Sequence, residues 1–201
     1  MANAVNTNSP GYMTDGVLTE GEALIWLQSA EPDGDSVQFD SSTGANNWSQ
    51  YLDLMILGTV RVGSGGSGNA YFYMRFNGDF VSDGFEWRRI RGQGSSSSAT
   101  DRSQGTNNVY CGEAPRTVEN SALYAGVKIE VRDINSGKHK HILSHSSNDM
   151  NGSGQVSVIA GTYLKQDPIT RIDLLESNAF ADGTRFDLYG LLPSMSDARA
   201  T

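Results

Sequence analysis

The chain of 201 residues has one cysteine, Cys111, so it cannot close an internal disulfide or build a multi-cysteine zinc site. The Tyr-Cys-Gly context around Cys111 reads as a small buried hydrophobe rather than a reactive nucleophile. No stretch approaches the ~18–20 consecutive apolar residues of a membrane-spanning helix, so no membrane partner is expected. Ala- or Leu-rich helical runs are missing too. Basic residues are scarce, 15 Lys and Arg against 23 Asp and Glu, for a net charge of −8. That balance argues against binding to phosphate backbones, and direct contact with nucleic acid is not expected. The opening residues, MANAVNTNSPGYMTDG, have neither the basic nor the apolar region of a signal peptide, which predicts synthesis in a reducing cytoplasm. No G-x-S-x-G elbow occurs. The GSGGSG run at 63–68 lacks the following Lys-Ser/Thr and the helix of a phosphate-binding loop.

What the chain does have is turn residues, 23 glycines among them, separating short apolar alternations. Expected strands are Ala23–Ser29, Val37–Phe39, Tyr51–Val62 (Leu52, Leu54 and Ile56 inward), and Ala70–Phe76, with Phe72, Met74 and Phe76 opposite Tyr71, Tyr73 and Arg75. Phe85–Arg91, Ser121–Ile134 (Val127, Ile129 and Val131 inward), Lys138–Ser146 and Gln155–Lys165 follow. Near the end, Ile169, Ile172 and Leu174, then Phe186, Leu188 and Leu192, flank a turn at Asp182-Gly183 and predict a hairpin. Gln93–Asn108, rich in Ser, Gly and Thr, reads as an exposed loop. Residues 1–20 lack periodicity and read as an arm, with the β-sandwich domain over 21–201. The fold class is all-β, an antiparallel two-sheet β-sandwich with an extended N-terminal arm.

Two stretches carry a resemblance. The closing run I-T-x-I-x-L…F-x-x-G-T-x-F-x-L-Y-G-L, within Pro168–Leu192, resembles the last strands of a broad group of tailed-bacteriophage virion proteins. Met74-Arg75-Phe76-Asn77-Gly78-Asp79, followed by Phe85-Glu86-Trp87 and a Gly/Ser-rich connection at Gly92–Ser98, is similar to a segment of the same proteins. The likeness spans roughly residues 50–192 and implies the jelly-roll form of the sandwich. It also implies a non-enzymatic virion protein made in the host cytoplasm, with no catalytic residue, cofactor or metal. The expected role is a capsid decoration or cement subunit, homotrimeric, whose partners are the major capsid protein or other virion proteins. A tail-fibre or baseplate component with a carbohydrate-binding sandwich is the alternative, and a cupin-like metal-binding protein is another.

Several constellations bear on these readings. His139, His141 and His145 are the only histidines, and in an extended strand their spacings of two and four put them on one face. A cupin-like site would add a Glu soon after the H-x-H pair and a further His, and neither follows here. The flanking Lys138 and Lys140 point to a solvated strand instead. Asp133-Ile-Asn135-Ser-Gly137 and Asp33-Gly-Asp35 resemble calcium loops without the closing bidentate Glu, and read as turns. Arg88, Arg89 and Arg91 concentrate positive charge, with Arg88 on the face opposite the other two; they read as a solvated strand edge, with contact to an acidic partner surface as the alternative. Tyr71, Tyr73, Trp87 and Tyr189 fall opposite the aliphatic sets, where they pack as the second face of a two-sided sheet or, if exposed, make a sugar platform or a protein interface.

Overall fold

The computed structural model describes residues 13–14, 17–18, 24–32, 34–42, 44–63, 68–94, 96–117, 122–150 and 154–192. Two dipeptide strands within the expected arm, β1 (Met13–Thr14) and β2 (Val17–Leu18), pair with each other; the rest of the first twenty residues lies outside the described set. Twelve strands build the sandwich: β3 (Leu24–Ala30), β4 (Ser36–Asp40), β5 (Asp53–Val60), β6 (Asn69–Phe76), β7 (Phe85–Gln93) and β8 (Ser96–Thr106) come first, and β9 (Val109–Pro115), β10 (Ala125–Arg132), β11 (Lys140–Asn148), β12 (Gln155–Tyr163), β13 (Arg171–Glu176) and β14 (Arg185–Leu191) follow. Among the described residues no helix is long and apolar enough to cross a membrane.

Eight strands form one sheet, in the order β3-β14-β5-β10-β11-β12-β7-β8, and four form the other, β4-β13-β6-β9. All pairings within the two sheets are antiparallel. Partners nest from the outside in: β3 with β14, β4 with β13, β5 with β10 and β6 with β9. That is one long hairpin rolled up so that its ribbon alternates between sheets, the jelly-roll order. Two further hairpins, β7–β8 and β11–β12, are inserted into it, and both extend the same sheet.

Alternation decides which side chains fill the space between the sheets. In β10, Val127, Ile129 and Val131 are buried while Gly126, Lys128 and Arg132 are exposed. Leu54 and Ile56 on β5, Phe72, Met74 and Phe76 on β6, and Phe186 and Leu188 on β14 are wholly buried. Each such side chain contributes about 1.5–3 kcal/mol of transfer free energy. Glycines let the bulkiest rings approach the backbone: a Cβ at Gly58 would stand 2.6 Å from the Phe186 ring, and one at Gly190 would stand 2.5 Å from Tyr51.

The structure departs from the sequence expectations at five places. β13 and β14 are not a hairpin; the loop between them carries the chain from one sheet to the other, so Leu174 and Leu188 belong to opposite walls of the core. The Gln93–Asn108 stretch is mostly strand β8, an edge strand held by its backbone pairing to β7. β9, which no alternation announces, is buried along its whole length. Leu52 precedes β5 rather than joining its inward set and is 44% exposed. Lys140 is not solvated: it is wholly buried, and its ammonium donates to the carbonyls of Ser136, Lys138 (2.8 Å) and Gln166 (3.1 Å). Burial lowers the Lys140 pKa, opposed by the nearby Asp133 and Asp167.

Candidate functional site

β9 is the last strand of the small sheet, and β7 closes over its free edge. The outward side of the small sheet carries Tyr71 and Tyr73 on β6, registered against Glu113 and Tyr110 on β9. Arg89 reaches in from β7. Its Nη1 donates to Glu113 Oε1 (2.7 Å) and to the Tyr110 hydroxyl (2.7 Å), and its Nε donates to Asp101 Oδ2 on β8 (3.0 Å). Tyr110 also donates to Glu113 Oε1 at 3.0 Å, and Arg91 adds a contact at 3.3 Å. Arg89, Tyr110 and Glu113 are all buried, while Asp101 is half-exposed.

Burial and the ion pairs shift three groups of this cluster. Burial works against the Arg89 charge, but the bonds from Asp101, Tyr110 and Glu113 outweigh it and raise its pKa. Burial and then the Glu113 charge raise the Tyr110 phenol, so it stays protonated. The Arg89 guanidinium lowers the Asp101 carboxyl against a small burial effect. The rings pack edge-on around Tyr110, with Tyr71 at 5.6 Å and Tyr73 at 6.0 Å, and Trp87 tilted against it at 5.2 Å. Two arginines here meet two carboxylates, so no charge is left for a ligand. What the cluster presents outward is the Tyr71 ring, 46% exposed.

The four aromatics expected on outward faces therefore divide. Tyr71 and Tyr73 share the cluster. Trp87 lies on the core side of β7, half-buried, because the wider sheet extends past the narrower one and leaves its inner face partly uncovered there. Tyr189 is on the outer face of the eight-stranded sheet, opposite Trp26. That outer face is the second candidate surface. It exposes Trp26 (42%), Leu57 (38%), Val158 (39%), Ile90 (60%) and Val156 (61%). Leu57, Lys128, His145, Val158 and Ile90 stand in one cross-strand row.

His141 and His145 project from β11 onto this face, and His139 precedes the strand; all three are exposed. Among the described residues no group of three or more His, Cys, Asp or Glu is placed to hold a metal ion. The calcium-like spacing at 133–137 is a turn with its own employment: Asn135 Nδ2 donates to the carbonyls of Trp48 (2.8 Å) and Tyr51 (3.0 Å), and Asp133 adopts φ 57°. Asp33 lies outside the described residues. Cys111 is wholly buried, and burial raises its thiol pKa far above the ordinary range.

The Arg75–Asp79 motif is a junction. Asn77, at φ 53°, accepts from the backbone N–H groups of Thr170 (2.9 Å) and Arg171 (3.1 Å) and donates to the Pro168 carbonyl (2.9 Å). Asp79 accepts from Val81 N (3.1 Å), the Tyr163 hydroxyl (3.2 Å) and Lys165 Nζ (2.7 Å). These bonds tie the end of β6 to the end of β12 and the start of β13. No family model matches the chain, and neither does any of the curated proteins or solved structures compared with it.

Proposed function

We propose that the chain is a non-enzymatic structural subunit of a tailed-phage virion, a decoration protein that docks as a homotrimer on the head shell. The observation that carries this reading is the lopsided sandwich. Two hairpins inserted into the jelly roll widen one sheet to eight strands against four, and its outer face exposes five large apolar side chains, three of them (Ile90, Val156 and Val158) on the inserted strands. An insertion that enlarges an uncovered, partly apolar face builds an interaction surface. The resemblance of the 74–79 and 168–192 stretches to virion proteins adds support. Such a subunit stabilises the shell because it binds only the assembled state, by about 2.7 kcal/mol at a free concentration one hundred times Kd. The test is to add purified protein to shells lacking it. Saturable, stoichiometric binding that raises the temperature of shell disruption is expected, and shells that neither bind nor gain stability would refute the reading. Removing residues 1–20 is expected to weaken shell binding while the sandwich still unfolds at its usual midpoint.

A second reading, a carbohydrate-binding sandwich on a tail fibre or baseplate, is favoured by the Tyr71 ring held over a fixed ionic cluster. A flat ring made rigid by its neighbours is suited to stacking against a sugar face. Glycan-array binding that disappears with Tyr71→Ala would support it, and an array without signal would remove it.

A further inference from the structure

Arg88 on β7 and Arg102 on β8 stand directly across from each other on the outer face, both exposed. Like charges directly opposite on an antiparallel pair are destabilising. Five other arginines, Arg89, Arg91, Arg132, Arg171 and Arg185, each have a carboxylate within reach. Among the described residues Arg88 and Arg102 are in no ion pair, and neither are Arg75 and Arg116, but only Arg88 and Arg102 face each other across a strand pair. They border a shallow groove of about 240 Å³ that Glu86, Gln104, His141 and Thr162 also line, so one carboxylate stands beside the two arginines without pairing with either. Alongside lie Ile90 and Val158, paired in register, and Val156. This end of the face is therefore apolar and, with two arginines against Glu86, positive on balance in a chain whose net charge is −8.

The opposite edge of the same sheet has the complementary character. β3 presents Trp26, and the β3–β4 and β13–β14 loops carry exposed Glu31, Asp35 and Asp182. The loops are fastened together by Phe180 N donating to the Gly34 carbonyl at 2.8 Å, which holds these acid-bearing loops at the same end of the sandwich. A groove between β3 and β4 adds Asp40 beside Trp26. Arg185 offsets only part of this charge, since it is already paired with Asp187.

We infer that the occupant of the Arg88–Arg102 surface is a second copy of this chain, docked by its acidic β3–β4 edge. In this head-to-tail contact the carboxylates of one copy relieve the arginine pair of the next, and Trp26 packs on the Ile90–Val158 patch. A heterologous contact of this kind closes into a ring when its rotation permits, and three copies give the trimer. The inference rests on the assembly-subunit reading, for which it names the subunit contact.

Light scattering across a concentration series, at low and high salt, tests it on the full chain. Wild type is expected to associate, more weakly as salt screens the contact. Arg88→Glu/Arg102→Glu is expected to weaken association at least about tenfold, as is Glu31→Lys/Asp35→Lys, since a buried like-charge contact costs several kcal/mol. An equimolar mixture of the two variants is expected to form mixed pairs, because the intact acidic edge of the first docks on the intact arginines of the second; a ring of three cannot alternate two kinds of copy. All four positions are exposed, so circular dichroism and the urea midpoint should stay at wild-type values. A wild type that is monomeric throughout overturns the contact, and so does an Arg88→Glu/Arg102→Glu protein that associates undiminished. Shell binding is scored separately: a monomeric wild type that still decorates shells refutes this contact and leaves the virion reading standing. A trimer that ignores shells does the reverse.

Discussion

Replacing Glu113 by Ala should cost a large share of the stability of this sandwich. Glu113 is 3% exposed and its Oε1 accepts from Arg89, Arg91 and Tyr110. Without it, Arg89, itself 6% exposed, keeps only the half-exposed Asp101 as a counter-charge, and the Tyr110 hydroxyl loses its acceptor. Removing one partner of a buried ion pair costs about 3–5 kcal/mol, against a total of roughly 5–15 for a domain. With an m-value near 2 kcal/mol/M, the urea midpoint should fall by roughly 1.5–2.5 M, a shift that tryptophan fluorescence can follow. Glu113→Gln keeps an acceptor for Tyr110 and should lose less. Arg89→Met combined with Glu113→Leu removes both charges and should recover much of the loss, because the cost lies in the uncompensated charge rather than in the missing attraction. Asp101→Asn, at the solvent side of the same cluster, should cost far less than Glu113→Ala. A midpoint shift below about 0.5 M for Glu113→Ala would refute the view that this cluster holds β7 over the edge of β9.

Three further outcomes follow from the structure. The Asp101 and Glu130 carboxyls are lowered by hydrogen bonds from Arg89 and Lys128; for Asp79 the bonds from Lys165, Val81 and Tyr163 overcome the upward push of burial. Folded values below the unfolded ones contribute stability above about pH 4 that is lost as pH falls through the folded values, so the urea midpoint should drop between pH 5 and pH 2. Cys111 should react with a thiol reagent only at the rate of unfolding in native buffer and at once in denaturant; fast labelling of the native protein would contradict its burial. Asn77→Ala removes the side-chain bonds to β13 and strains a positive-φ position, at about 2–3 kcal/mol by thermal melting, whereas Asn77→Gly relieves the strain and should cost less.

The strands that proved readable are those in which period-two alternation coincides with one buried face, β6 and β10 above all. There, burial and propensity point the same way, and Phe72, Met74, Val127 and Ile129 sit where their spacing predicts. β8 escaped because its sequence, SSSATDRSQGT, has no apolar face; pairing with β7 makes it a strand. Lys140 escaped because its burial depends on three carbonyls brought together from both sides of β11. β13 and β14 were located closely and connected wrongly, since alternation reports which face is buried but not which sheet a strand joins. The opposed placement of Arg88 against Arg89 and Arg91 followed from the pleat alone. That Arg89 meets Glu113 did not, because twenty-four positions separate them and only the fold of β7 over β9 closes the distance. The Arg75–Asp79 motif turns out to be a structural joint, so its residues speak for how this sandwich is held together rather than for a role.

The place of β14 has a consequence for how the protein is made. Among the described strands it is the only partner of β3, and it lies between β3 and β5, pairing Phe186 with Ala30. It is also the last of the described strands to leave the ribosome. Until then β3 has no described strand to pair with, and β5 shows a bare hydrogen-bonding edge beside Leu54 and Ile56. Most of the nascent chain must therefore wait, sticky and unclosed, for its final ribbon. Closure over such sequence distances belongs to the slow end of single-domain folding. A ribosome that stalls before Arg185 releases an aggregation-prone chain rather than a smaller stable domain.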